Sequence, residues 1–421
     1  MDDELQTIER LESNVRCYSR SFPTVFSTAS GDRLVDVQGR EFIDFFAGAG
    51  ALNYGHNRPD FKRALIEYIE SDGITHSLDM ASEAKISFLK AFEKHILVPR
   101  DLDYKVMFTG PTGTNSVEAA LKLARQITGR KNVVSFTNAF HGMTLGSLAV
   151  TASESKRDGA GVELPDVSRV PFDQYLGEQF DTLELLEKLL LDSSSGVDKP
   201  AAVILETVQA EGGINVATRE WLQGLQKIVA QQDVLLSVDD IQVGCGRTGK
   251  FFSFERAGIV PDIVCLSKSL SGYGVPFAIT LMKRELDAWE PGKHNGTFRG
   301  HNLAFVTGEA AIQQFWANNE LESEIIGKGV WVRQELEKLA KEFGGEAKGL
   351  GLIQGIAFPH RLESARAISR RAFSGGLLIE TAGASDEVIK ILPPLTIDWD
   401  SLKQGLQLLI EAIRSVMSER D

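Results

Sequence analysis

The chain has little cysteine and histidine, fewer basic than acidic residues, and no long apolar run. Its three cysteines (Cys17, Cys245, Cys265) make no CxxC pair, and an odd number closes no disulfide set. A reduced, cytoplasmic setting is expected. The seven histidines include no HExxH and no pair four residues apart, so no metal site is expected. No apolar stretch approaches the roughly 18 residues that would span a bilayer. The opening MDDELQTIERLES is acidic and lacks the basic and apolar regions of a secretion signal. Lys and Arg together number 45 against 58 Asp and Glu, for a net charge of −13. That balance argues against nucleic acid or an anionic membrane as partner.

What remains is an ordinary globular composition, 43% apolar and 24% charged over 421 residues, enough for two or three domains. Residues 1–55 read as an N-terminal helix and a short hairpin, RLVDVQGREFIDF, turning at Gln38-Gly39. A glycine-rich loop, GAGALNYGH, follows. From 56 to 305 strands and helices alternate. YKVMFTG, NVVSFT, AAVILE, VLLSVD and DIVCLS are short apolar runs. SVEAALKLARQITG (116–129) carries Val117, Ala120, Leu121 and Ala124 on one helical stripe and stops at Gly129. This pattern predicts an α/β large domain with a mostly parallel sheet covered on both faces. Residues 306–421 predict a smaller α+β domain. It has a long helical stretch (308–343), strands within 349–358 and 387–397, and a last helix with Leu402, Leu406, Leu409 and Ile413 in line.

The polar residues of interest all follow strands, where ligands of such sheets bind. TGPTGTNS (109–116) joins a strand to a helix start. Its glycines admit an anion to the backbone N–H groups of a first turn, with Thr114 as the candidate N-cap. Phe140 of FHG offers a ring to stack on a flat cofactor. Glu206 and Glu211 of LETVQAEGG read as solvated loop acids or as acceptors for a substrate's amino or guanidinium group. Gly244, Gly249 and Lys250 fit GxxxxGK, but Phe251 stands where a nucleotide-binding loop needs Ser or Thr. Asp239 ends one strand and Lys268 follows another. A lysine that condenses with an aldehyde and an aspartate that keeps a pyridine nitrogen protonated are the groups a pyridoxal phosphate enzyme needs.

Taken together these motifs resemble the class III (omega) aminotransferases, pyridoxal phosphate enzymes of fold type I, over nearly the whole chain. The core of the likeness is Asp239, Gln242 and Gly-x-Gly-Arg-x-Gly, followed by Lys268. The resemblance implies that Lys268 carries the cofactor, Asp239 meets its pyridine nitrogen and Gln242 its ring hydroxyl. Gly113 and Thr114 would take the phosphate, and Phe140 would stack on the ring. Thr297, in NGTFRGHN, would reach the phosphate of a neighbouring subunit, which implies a homodimer or larger homo-oligomer. Met143 stands where ornithine and 4-aminobutyrate members have a carboxylate-binding arginine. Lys390, in KILPPL, stands where many have another. Glu211 matches the family's switch glutamate, and Glu211, Lys390 and Asn53 are the candidates for substrate contact. These departures, with AFHGMTLGSLAVT and VIKILPPLTI, are similar to the diaminobutyrate–2-oxoglutarate group of the ectoine pathway. That likeness implies transfer of an amino group from L-glutamate to L-aspartate 4-semialdehyde. The alternative is another omega-aminotransferase, of the ornithine, acetylornithine or 4-aminobutyrate type.

Overall fold

The apolar runs assemble into a seven-stranded sheet. In the computed structural model, which describes residues 2–361 and 363–418, its strands lie in a fixed spatial order. That order is Tyr104–Phe108, Ile279–Lys283, Ile263–Leu266, Leu235–Asp239, Ala202–Leu205, Val133–Phe136 and Val167–Val170. Ile279–Lys283 runs antiparallel to both neighbours, while the remaining pairings are parallel. The expected, mostly parallel sheet is therefore present. Ile279–Lys283 and Val167–Val170 are strands that the sequence reading did not single out.

Both faces of the sheet are buried, which is why its strands read as continuous apolar runs rather than alternating ones. Ala202, Ile204, Ile263 and Cys265 pack with Val117, Ala120, Leu121 and Ala124 of the helix Gly113–Thr128. Val203, Leu205, Leu236 and Val238 turn the other way, onto Trp221, Leu222 and Leu225 of the helix Arg219–Gln231. Each fully buried aliphatic side chain contributes about 1.5–3 kcal/mol, so the two layers fix the strand ends firmly.

Two smaller sheets flank this core. The N-terminal hairpin forms as read, Arg33–Asp36 against Glu41–Asp44, with Phe26–Ser30 added at its edge. Leu377–Leu378 joins it in parallel beside Glu41–Asp44, so chain from both ends of the sequence shares one sheet. A second, antiparallel sheet orders Glu346–Leu350, Ile353–Ala357, Val388–Ile391 and Glu380–Ala382. Leu402, Leu406, Leu409 and Ile413 are buried along the last helix, Trp399–Ser418.

Two expectations need correction. The helical stretch read as continuous is two helices, Asn302–Phe315 and Glu320–Phe343. The break comes where Trp316 turns inward, its indole donating to the Tyr54 hydroxyl at 2.8 Å, and where Asn318 Oδ1 caps Glu320 N at 3.0 Å. The helix after the first strand starts at Gly113, with Thr112 rather than Thr114 as its cap. Thr114 thus lies inside the first turn.

Candidate active site

Five strand ends and one turn enclose a cavity of about 180 Å³. Its lining includes Gly113, Thr114, Phe140, Glu206, Glu211, Asp239, Gln242 and Lys268. These come from six separate stretches of sequence, brought to one edge by the parallel strands. Thr297 does not line the cavity and lies exposed in a turn. Asn53 is buried and committed elsewhere, its amide donating to Cys245 O at 3.0 Å while Arg247 donates to its Oδ1. Lys390 lies behind Glu211 rather than in the cavity wall.

Lys268 begins a one-turn helix with φ of +50°, an unusual backbone state for a side chain with a Cβ. Its ammonium donates to Ala49 O at 2.7 Å, and Gln242 Nε2 donates to the same oxygen at 2.8 Å. Burial holds the Lys268 amine down, to about 8, with Glu211 opposing the shift. Gln242 Oε1 has no hydrogen-bond partner among the described residues.

Asp239 is buried, with Oδ1 accepting from Ile241 N at 3.1 Å and Oδ2 lying 2.7 Å from His141 Nδ1. His141 has no exposed side-chain surface, so its ring fixes how the carboxylate points. Glu206 accepts from Phe140 N at 3.0 Å, which ties the aromatic loop to a third strand end. Burial and the charge of Asp239 push the Glu206 carboxyl well above its ordinary value.

The helix Gly113–Thr128 points its N-terminus at the cavity, where its dipole favours an anion. Thr114 Oγ1 lies 2.7 Å from Thr144 Oγ1 and also meets Ser147 Oγ. Gly142 closes this hydroxyl cradle. With φ of +131°, it would bring an added Cβ to 2.5 Å from Thr114 Oγ1. A Cβ on Gly113 would stand 2.9 Å from Ile241 Cδ1. The decoy Lys250 takes no part, and pairs with Glu322 at 2.6 Å.

A helix-end anion cradle, a half-buried aromatic ring, a buried acid and a depressed lysine are the separate requirements of a phosphorylated pyridine aldehyde. The Aminotransferase class-III family matches residues 16–413. The chain is a class III aminotransferase. Its cofactor is pyridoxal 5′-phosphate, and the unpartnered Gln242 Oε1 and the glycine-lined cradle fit that group.

Curated relatives of this aminotransferase include proteins from Streptomyces anulatus, 57% identical over 97% of this chain and 98% of theirs, and Nocardia farcinica, 56% identical over 98% and 95%. One from Halalkalibacterium halodurans is 54% identical over 99% and 98%. All three are named diaminobutyrate–2-oxoglutarate transaminase. Among solved structures, the ornithine aminotransferase of Toxoplasma gondii superposes with a TM-score of 0.86 at 24% identity, covering 100% of this chain and 95% of that one. An S-selective transaminase from Arthrobacter sp. gives 0.87 at 22%, covering 99% and 98%. These likenesses place the aminotransferase in fold type I.

Sequence reasoning gave His141 no role in orienting the carboxylate and missed Ala49 and Glu380 altogether. A histidine directly after the ring-bearing phenylalanine was a usable signal. A backbone carbonyl leaves none, and Glu380 is visible only through its strand partner.

Proposed function

We propose that the enzyme transfers the amino group of L-glutamate to L-aspartate 4-semialdehyde, giving L-2,4-diaminobutyrate and 2-oxoglutarate. This is the first step of ectoine synthesis, in a cytoplasmic setting. The observation that carries the reading is the 54–57% identity, over 97–99% of the chain, to relatives named for that reaction. Met143, exposed and uncharged, supports it against the ornithine and 4-aminobutyrate types.

When bound, pyridoxal phosphate supplies an electron sink for the carbon that loses its proton. Lys268 is the amine that would hold the aldehyde. Once released, its Nζ, depressed by burial, is suited to take a proton from substrate and return it. Asp239, steadied by His141, would keep the pyridine nitrogen protonated, and Gln242 would meet the ring hydroxyl. Gly113 and Thr114 would receive the phosphate and Phe140 would cover a ring face. Glu211 would meet the substrate, with Lys390 behind it holding its charge. Asn53 is proposed to act indirectly, holding the turn that presents Ala49.

We also infer a homodimer. Ile74, Leu78, Met80, Ile86 and Phe298 are large apolar side chains left exposed, and Phe298 stands edge-on to His76 at 5.2 Å. That joins the segment bearing Thr297 to the stretch around His76, and a second copy would cover these exposed side chains while Thr297 reaches its phosphate site.

The test is a steady-state assay of the purified enzyme with glutamate and aspartate semialdehyde, and in reverse with diaminobutyrate and 2-oxoglutarate. Borohydride reduction and peptide mapping should label the fragment carrying Lys268. Faster turnover of ornithine or 4-aminobutyrate than of diaminobutyrate, or a label on another lysine, would refute the proposal.

A further inference from the structure

The hydroxyl cradle at the helix end is tied to a carboxylate. Glu118 lies one helical turn after Thr114 on the helix Gly113–Thr128. Its Oε1 accepts from three groups of the segment that closes the cradle: the Thr144 hydroxyl at 2.6 Å, Gly146 N at 2.9 Å and Ser147 N at 3.1 Å. Its Oε2 accepts from nothing among the described residues. Gly146 is what admits the carboxylate, because a Cβ there would overlap Oε2.

Three hydroxyls meet here, Thr114, Thr144 and Ser147, and each has one proton to give. A carboxylate oxygen only accepts, so the Thr144 proton is committed to Glu118. In its contacts with Thr114, at 2.7 Å, and Ser147, at 2.9 Å, Thr144 Oγ1 can then only accept. Ser147 is fully buried and does not line the cavity, whereas Thr114 does. When Ser147 supplies the proton that Thr144 accepts, the Thr114 proton is free to face the cavity. The bonds to Gly146 N and Ser147 N meanwhile hold the closing segment against the helix.

We propose that Glu118 is a positioning residue for the cofactor's phosphate. By taking the Thr144 proton and tethering the two N–H groups, it leaves the Thr114 hydroxyl as the donor turned to the cavity. This rests on the reading that Gly113 and Thr114 receive the phosphate. Charge alone argues the other way, since a carboxylate near a phosphate repels it. The two effects have opposite signs, so substitution separates them.

The experiment titrates the full-length apo-protein with pyridoxal phosphate and with pyridoxal, which lacks the phosphate, and compares the two dissociation constants. Glu118→Ala should raise the constant for pyridoxal phosphate at least about tenfold, the scale of one hydrogen bond to a charged group. The constant for pyridoxal should stay within about twofold, because no phosphate bond is at stake. Glu118→Gln keeps an acceptor oxygen for all three donors and should bind pyridoxal phosphate at least as tightly as the intact protein. Tighter or unchanged binding in the Ala variant, an equal loss for both ligands, or a Gln variant as weak as the Ala one would each overturn the proposal. If the Ala variant is insoluble, Gly146→Ala, which displaces the carboxylate, should show the same selective loss, and an unshifted ratio overturns the proposal. Thr114→Val tests the underlying reading. If it leaves the preference for the phosphorylated ligand intact, the phosphate lies elsewhere and this inference falls with that reading. If it removes the preference while Glu118→Ala keeps it, this inference alone falls.

Discussion

Lys268 donates to the carbonyl oxygen of Ala49 at 2.7 Å, and a left-handed turn presents that oxygen. Ala47, Gly48, Ala49 and Gly50 all have positive φ, between +45° and +85°. For the two alanines this backbone state costs roughly 1–2 kcal/mol each. The surrounding structure has to hold it in place. The result is a neutral acceptor for the lysine where a carboxylate would have locked it as a cation.

The amine of the cofactor-free protein should therefore become reactive at modest pH. Burial lowers Lys268 from an ordinary 10.5 to about 8. Its neutral fraction grows as pH rises through about 8, so the rate at which the apo-protein takes up pyridoxal phosphate should climb there and level off. Stopped-flow absorbance across pH 6.5–10 checks this (about three units suffice to separate the two values). A rate still rising steeply at pH 10 would mean an ordinary lysine.

Asp239→Asn should lower kcat by about 10²–10⁴-fold, the range of a lost proton-managing group. His141 Nδ1, 2.7 Å from Asp239 Oδ2, can still bond to the amide oxygen. The fold and the cofactor content should therefore survive. Circular dichroism and cofactor titration separate this outcome from unfolding, and a variant with near-normal turnover would refute the role.

Most of this site was legible because strand ends can be read from apolar runs. Asp239, Glu206 and Lys268 each follow such a run, so placing the strands placed the residues at one sheet edge. Gly113 and Thr114 were found in the same way, although the helix cap moved to Thr112. Lys390 was singled out by its place in the motif, but its surroundings were hidden, because Glu380 lies ten residues earlier and meets it only through antiparallel register. The helix break near Trp316 was hidden too, since it depends on a hydrogen bond to the distant Tyr54. Periodicity reports which face of an element is buried, not which partner buries it.

Gly142→Ala should weaken cofactor binding more than it weakens the fold. An added methyl would sit 2.5 Å from Thr114 Oγ1 and 2.7 Å from Ser147 Oγ, at a φ of +131° that L side chains avoid. Relief requires the hydroxyls of the proposed phosphate cradle to move, and losing about two hydrogen bonds to a charged phosphate would cost roughly 3–6 kcal/mol. Equilibrium titration of apo-protein with pyridoxal phosphate should show at least about a hundredfold rise in Kd. Unchanged affinity would place the phosphate elsewhere.

Lys390→Met tests a buried triad, Lys390 Nζ between Glu211 Oε1 at 2.7 Å and Glu380 Oε1 at 2.9 Å, through stability rather than turnover. Burial pushes the Glu211 carboxyl up, yet Lys390, with Lys268 behind it, brings it down to about 2 from an ordinary 4.5. The intact enzyme therefore gains stability from Glu211 above about pH 4.5 and loses it as pH falls toward about 2. Removing the cation leaves Glu211 and Glu380 facing each other with only Lys268 to offset them, which should cost about 3–5 kcal/mol at pH 7. Burial then raises the Glu211 carboxyl and lifts the already raised Glu380 carboxyl further, and the folded variant takes up protons before its unfolded chain does. Its deficit should narrow on acidification from pH 7 to 5, by about 1 kcal/mol or more, whereas the contribution of Glu211 in the intact enzyme stays level over that range. Denaturant unfolding of both proteins at the two pH values measures the difference. A deficit equal at pH 7 and pH 5 would show that the two carboxylates do not depend on Lys390 for their charge.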